Sequence, residues 1–479
     1  MASNIHVASA PADTVSEQTP LLSQGHSDAP PKRNRLPTFQ LLILLSIRLA
    51  DNMTLTSITP YINQMMYELP IVGGDQRRVG YYTGITASVY YAAEAATVLH
   101  WNRLSDHVGR KPILLFGLLG TIVSITMFGL SRSFWSLVLC RFFSGALNGN
   151  VGVSKSVLAE LADESNVARA FSFLPLVFVV GQVIGSSVGG FLSRPQDRWP
   201  DYFPQPFWAE YPYFLPCLVV ASFSLIQFTI AAIFFEETLS RKTSAISRPQ
   251  ESTNLQQDEE PAEQPLPLRS LLTRPVVISI ANYGTIALLE IAASALIPLV
   301  WSTAIELGGL GLTPADIGLW MSAYGCVSAV FQFAFFPRVV AHFGPGRVVV
   351  ATVVAFGLLY ALFPFENMLA RGTGTAGVVW PLIVLQLIAI SVTDMGFSSV
   401  FMFVSSAAPN KRSLGALNGL AQTVVSTQRA VGPAAAASLF AFSLQNNILG
   451  GQFAYAVLLS FACVGLCVAV QLPRNTWKS

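Results

Sequence analysis

Charge is scarce in this chain: Asp, Glu, Lys and Arg supply 11% of its 479 residues, against about 25% in an ordinary soluble domain. With 52% hydrophobic residues, a water-soluble fold is not expected, and a membrane protein is. Histidine is scarcer still, five residues without a cluster, so no dense ligand array for free metal is visible. The chain lacks a glycine-rich lysine loop to cradle nucleotide phosphates, so no ATP site is implied. It also lacks a His-Glu-x-x-His pair and a serine elbow, so an intramembrane enzyme is not expected. All five cysteines, Cys140, Cys217, Cys326, Cys463 and Cys467, fall in apolar runs, which argues against a disulfide framework. Cys463 and Cys467 stand one helical turn apart and read as packing residues. No apolar core of a cleavable signal peptide occurs in the polar first 37 residues, so the first span is expected to act as the targeting signal.

What the chain does have is long apolar runs. Twelve are long enough to cross about 30 Å of hydrocarbon. They lie near 38 to 67, 80 to 100, 112 to 130, 134 to 160, 169 to 192, 213 to 235, 275 to 302, 315 to 340, 347 to 365, 377 to 406, 414 to 442 and 452 to 472. With both termini in the cytoplasm, the 28 Lys and Arg divide into 18 in cytoplasmic segments, 6 in outer loops and 4 inside spans, as the positive-inside rule requires. Residues 1–37 read as a disordered cytoplasmic tail and 237–274, rich in Glu, Asp and Pro, as a flexible linker. Six-helix bundles are expected over 38–236 and 275–473, with a short cytoplasmic tail at 474–479.

Between the second and third runs stands Trp101-Asn102-Arg103-Leu104-Ser105-Asp106-His107-Val108-Gly109-Arg110-Lys111-Pro112. Charges that dense are costly in hydrocarbon, so the tract is expected as a tight turn on the cytoplasmic rim. A topology loop accounts for Arg103, Arg110 and Lys111 but not for Asp106 or Gly109. The order resembles the loop between spans two and three of major facilitator superfamily transporters, with Leu104, Ser105, Asp106, His107, Gly109, Arg110 and Lys111 matching and Asn102 where the family usually has glycine. The resemblance implies a conformational latch in which Asp106 binds across to a neighbouring helix end and holds the outward-open state.

An echo follows after 235 residues: Arg103, His107 and Gly109 align with Arg338, His342 and Gly344, while Ala341 stands where Asp106 would be. Gly185-Ser186 likewise pairs with Gly432-Pro433 at an offset of 247. Parallel repeats related by an axis along the membrane normal would give such echoes.

Ionisable residues inside spans are functional hypotheses by default, because burial must be offset by pairing or by a water-filled cavity. Asp51 and Arg48 are one turn apart in span one, and the step from Asp51 to Pro60 resembles a first-span motif of drug and proton antiporters. A midplane carboxylate there could load and release a proton, which makes Asp51 the leading coupling candidate; the alternative is a static pair with Arg48. In span four, Arg141-Phe142-Phe143-Ser144-Gly145 resembles the superfamily's arginine motif, implicated in proton transfer or substrate binding. Asn148 and Lys155 follow at helical spacing, with Lys155 able to snorkel to the rim. Glu94, expected near the latch, and Glu290, expected to face the cavity, complete the candidates together with Asp394 and Arg429, read as a possible interhelical pair. In span five, Gly181, Gly185, Gly189 and Gly190 resemble the antiporter signature, with Ser186 in place of its proline; bare backbone there would let helices slide or bend.

The segments 191–195, 211–216 and 168–173 resemble fungal members of the superfamily near the plant zinc-induced facilitators. These readings lead to an all-α integral membrane protein of the major facilitator fold, twelve spans in two pseudo-symmetric bundles. The expected function is secondary active export of a small organic metabolite, organic acid or drug by proton antiport. An importer or uniporter, or a ligand-sensing receptor, are the alternatives. Expected partners are the bilayer, the substrate and protons, with no cofactor, metal or nucleic acid, in a functional monomer. The plasma membrane is the expected location, and the acidic dileucine pattern Glu17 to Leu22 admits a vacuolar or endosomal one.

Overall fold

The computed structural model describes residues 37–162, 166–239, 272–374, 377, 379–407 and 414–477. The Glu17 to Leu22 pattern and most of the expected linker lie outside them. Among the described residues the fold is helical without strands. Spans one to three are Thr38–Ser57, Val79–Val108 and Arg110–Gly129. Span four is Phe134–Ala146 continued by Asn150–Leu161, and spans five and six are Val167–Leu192 and Phe214–Phe234. In the second half, span seven is Arg274–Ser302, span eight Pro314–Val330 with a π-helical turn Phe331–Phe335 and then Phe336–Phe343, and span nine Pro345–Thr373. Spans ten to twelve are Val379–Ser406, Leu414–Gln445 and Phe453–Ala469.

Seven helices are long and apolar enough to cross a bilayer by length and composition. Spans one, two and eleven miss that test while carrying Arg48, Asp51, Glu94 and Arg429, span four, with Arg141 and Lys155, misses it because it is cut in two, and span twelve misses it by length alone. Ends are set by local chemistry. Ser133 and Ser136 form a capping box at span four, as do Thr313 and Asp316 at span eight, with Pro314 in its first turn. Cys463 and Cys467 are exposed on span twelve, and the thiols of all five cysteines are free.

Two sequence expectations change here. The tract from Trp101 is not a turn: span two stays helical through Val108, and Gly109 at φ 111° alone reverses the chain before Arg110 opens span three. In the second half Gly344 at φ 82° does the same between spans eight and nine. The shared left-handed glycine is the structural form of the repeat seen in sequence. Span nine also runs beyond the expected 365, through Glu366 and on to Thr373. The C-terminal segment is docked, since the Trp477 indole donates to Ser279 Oγ at 2.9 Å.

Residues without side chains bring the helices together. A Cβ at Gly181 would lie 2.7 Å from Asn52 Cβ, and at Gly189 it would overlap the Ser57 carbonyl, so span five rests on span one backbone to backbone. Thr56 Oγ1 donates to the Gly181 carbonyl at 3.1 Å across that contact. Gly190 faces the other half: its Cβ would lie 2.8 Å from Gly318 Cα of span eight. Beside it Ser187 and Ser322 share a 2.9 Å hydroxyl contact. Spans two and eleven meet similarly, with a Cβ at Gly84 placed 2.9 Å from Ala434 Cα and the Ala434 amide donating to Ser88 Oγ at 3.0 Å. Gln76 completes the seam, donating to the Ser302 carbonyl and accepting from the Ala304 amide, both at 3.1 Å. In the orientation expected from the Lys and Arg distribution these contacts are all on the outer side, so the halves are closed outward.

Gly189→Val forces a β-branched side chain onto a backbone carbonyl and is expected to destabilise the first bundle by about 1–3 kcal/mol. A lower midpoint in a thermal shift assay of the detergent-solubilised protein checks this.

Candidate functional site

Span one places Asp51 inside the first bundle, where its side chain is buried and its Oδ2 accepts from Arg48 Nη1 at 3.0 Å. Asn150 of span four donates to the other oxygen at 3.2 Å. One cation and one amide thus hold a buried carboxylate. Beside it is a cavity of about 10 Å³, the size of one water, lined by Asp51, Thr54, Tyr90, Arg141, Ser144 and Asn148 among others. The Arg141 guanidinium is buried 4.4 Å above the Tyr90 ring, and its Nη1 has no hydrogen-bond partner. Asn148 Nδ2 donates to the Tyr90 hydroxyl at 2.8 Å and leaves its own Oδ1 without a donor. Asp51 and Arg141 therefore share a cavity without forming an ion pair.

Span four, which breaks at Leu147 to Gly149, brings Arg141 and Asn148 to that cavity and, past the break, Asn150 to Asp51. A Cβ at Gly149 would lie 2.8 Å from the Trp101 side chain, and the Trp101 indole donates to the Ala146 carbonyl freed by the break, at 2.7 Å. Discontinuous helices at midplane are a recurrent way of building transport sites. Lys155, past the break, is exposed.

The second half is built differently. Asp394 of span ten accepts from the Tyr324 hydroxyl at 3.1 and 3.0 Å and from Ser328 Oγ, both on span eight. The expected pair with Arg429 is not formed, because hydroxyls of span eight occupy both oxygens. Arg429 stands instead on span eleven, the helix of the second half that packs against span two of the first, which carries Glu94. Glu94 is fourteen residues from the end of span two, which continues to Val108, so it belongs to this helix pair and not to the latch.

At the cytoplasmic rim, Arg110 is the hub. It pairs with Asp106 at 2.7 Å and Glu160 at 2.9 Å, and also donates to Ser105 Oγ at 2.5 Å. Glu237 caps span three, accepting from the Arg110 amide at 2.8 Å and the Lys111 amide at 3.0 Å. Thr238 Oγ1 donates to Glu160 at 2.7 Å, so residues expected to open the linker are anchored to the latch. Asp106 itself, with a side chain 57% exposed, reaches across Gly109 only to Arg110 at the start of span three, and among the described residues it pairs with no residue of the second half in this outer-closed arrangement. Arg103 is exposed. Gly109 is required twice over, by its φ and because a Cβ there would lie 2.6 Å from Glu237 Oε2. In the second half Arg474 takes the place of Glu237, and a Cβ at Gly344 would lie 2.5 Å from its backbone carbonyl.

Sequence reading missed Asn150, Tyr90, Tyr324, Ser328, Glu160 and Glu237, polar residues whose partners on other helices stand 50 to 127 positions away in the chain. It also missed Glu366, fully buried in span nine with neither carboxyl oxygen hydrogen-bonded. A larger cavity of about 640 Å³, lined by Asn63, Gln64, Arg194, Arg198, Ser302 and Thr313 among others, sits at the outer mouth. It contains none of the buried carboxylates, so the chemistry is assigned to the smaller inner site despite its size.

A family model described as Major Facilitator Superfamily matches residues 41–433. The chain is 31% identical to the major facilitator-type transporter psiT2 of Psilocybe cyanescens, over 92% of this chain and 91% of that one. It is 27% identical to the efflux pump azaK of Aspergillus niger, covering 98% and 97% of the two chains. To the protein ZINC INDUCED FACILITATOR-LIKE 1 of Arabidopsis thaliana it is 27% identical, with 91% of each covered. Among solved structures, a D-xylose-proton symporter superposes with a TM-score of 0.66 at 14% identity, over 91% of this chain and 98% of that one, a likeness of fold alone.

Burial raises the proton affinity of Glu237, but hydrogen bonds from the amides of Arg110, Leu239, Lys111 and Thr238 outweigh it and hold the carboxyl below its ordinary value of 4.5. A group whose folded value is depressed contributes stability that is present above 4.5 and lost as pH falls through the lowered value. Glu237→Gln is expected to lower the melting midpoint at neutral pH and to flatten its decline in acid. Midpoints across an acid pH series, compared with wild type, check it.

Proposed function

Because the chain belongs to the major facilitator superfamily, and is therefore a multi-pass membrane transporter and not an enzyme, we propose that it exports a small organic compound from the cytosol in exchange for protons. One observation carries this reading: Asp51, buried between Arg48 and Asn150, borders a one-water cavity that it shares with Arg141. A carboxylate so placed exchanges its proton with whichever side the cavity faces. Arg48 steadies the ionised form, so proton uptake loosens that pair. Arg141 Nη1 and Asn148 Oδ1, both without partners, supply a donor and an acceptor for a polar group of the substrate. Likeness to an efflux pump along nearly the whole of both chains supports the outward direction.

Glu94 on span two and Arg429 on span eleven stand on the two helices that pack across the halves, which suits a substrate that carries charge. The rim network around Arg110 serves as the latch, with Asp106 the member left accessible for a partner when the halves rearrange. We place the protein in the plasma membrane, working as a monomer with no cofactor, the proton gradient supplying the energy.

In liposomes with an imposed pH gradient, Asp51→Asn is expected to cut proton-driven flux of an exported metabolite by about tenfold or more, since one exchangeable proton is removed from the cycle. Arg141→Lys is expected to weaken substrate affinity more than it alters the pH dependence. Flux in Asp51→Asn that matches wild type under the same gradient overturns the assignment.

A further inference from the structure

Asp394 differs from Asp51 in the company it keeps. No Lys, Arg or His nitrogen within ion-pair distance of it occurs among the described residues; two hydroxyls from successive turns of span eight, Tyr324 and Ser328, hold it instead. From span seven the like charge of Glu290 acts on it, and one turn along span ten Phe397 packs 5.0 Å from the Tyr283 ring of that same span seven. Span nine presents Thr352, which donates to the Val392 carbonyl at 3.4 Å, and span eleven presents Arg429 toward Glu290. Three residues after Ser328 the α-helix gives way to the π-helical turn Phe331–Phe335, an element that often marks functional sites. Gln332 of that turn donates to the Asp394 carbonyl at 3.3 Å and reaches Ser398 Oγ at 3.5 Å. The same helix carries Gly318 and Ser322, its contacts with span five at the outer seam.

Resting on the proton-exchange reading above, we propose that Asp394 is a second proton-binding carboxylate, whose loading is read by Ser328 and Tyr324 and passed along span eight to the outer seam independently of Asp51. The chemistry is one of donor count. Ionised, Asp394 only accepts, and both hydroxyls point their protons at it. A proton on Oδ2 makes that oxygen a donor, and Ser328 Oγ is the acceptor beside it. The hydroxyl proton of Ser328 must then turn to its own helix, where the carbonyl four residues back is that of Tyr324; such back-bonding bends helices. The bend falls between the seam residues on one side and the π turn on the other, where the backbone register is already relaxed. In the outer-closed state both hydroxyls address the carboxylate, which is the arrangement expected after the proton has left for the cytosol.

The test places nitroxides at Phe191→Cys and Leu319→Cys, exposed positions at the outer ends of spans five and eight, in full-length protein whose five native cysteines are replaced and which is reconstituted in liposomes. Dipolar broadening is read in mildly acidic and mildly alkaline buffer. Wild type is expected to change its ratio of close to separated populations by about tenfold, the linkage of a tenfold difference in proton affinity between the two states. Asp394→Asn and Ser328→Ala are expected to shrink that response by the share span eight carries, Ser328→Thr to restore it, and the loss on Ser328→Ala is expected to be the same in an Asp51→Asn background as in wild type. A pH response in Asp394→Asn equal to wild type, or none in wild type, overturns the proposal. Flux measured on the same liposomes separates the two readings: a gradient that drives no flux defeats the antiport assignment, while a response that depends on Asp394 still supports the span eight relay.

Discussion

Everything in this structure depends on backbone meeting backbone at the outer seam. Gly190 against Gly318 and Gly84 against Ala434 leave no room for a Cβ, so the helices touch where lipid-like side chains would otherwise keep them apart. Apolar burial cannot drive such association in a bilayer, since the surrounding tails are equally apolar. Close approach, and the few hydrogen bonds it permits, does so instead. Contacts of this kind are short in range and break together, which gives a seam two discrete states. While it is shut, the buried carboxylates are sealed from the outside.

The two halves share a frame but hold their charges by different means. In the first, Asp51 has a guanidinium and an amide; in the second, Asp394 has hydroxyls. At the rim the first half uses the Arg110, Glu160 and Glu237 network, whereas its counterpart has Ala341 for Asp106 and a backbone carbonyl of Arg474 beside Gly344. A cation fixes one carboxylate regardless of its neighbours, while hydroxyls reorient with every change of proton. Duplication preserved the turns because a left-handed glycine is hard to replace, and let the charges diverge because only their local balance matters.

Much of this was legible in the chain. Twelve runs, the repeat and the family resemblance follow from hydropathy, a left-handed glycine and a short charge motif, all local signals. Asp51 with Arg48 was legible too, being one turn apart on one helix. What escaped depends on packing between distant segments. Asn102, which departs from the family's glycine, costs no closeness because Gly152 faces it, a Cβ there lying 2.7 Å from Asn102 Cγ; the small residue has simply changed sides. The expected Asp394 and Arg429 pair failed because periodicity gives a residue's face but not which neighbouring helix fills it. Tyr324 and Ser328 looked like ordinary polar residues of an apolar span until span ten was laid beside them. Glu366 fell just past the expected end of span nine at 365, yet that helix carries Pro364 inside it and continues to Thr373.

The central claim is that transport requires the halves to part at the outer seam. Ser187 and Ser322, in hydroxyl contact across it, allow that to be tested directly. With Ser187→Cys and Ser322→Cys in a variant lacking the native cysteines, oxidation is expected to form the cross-link and stop flux in liposomes, and reduction to restore it. Undiminished flux in a fully cross-linked sample would contradict the account.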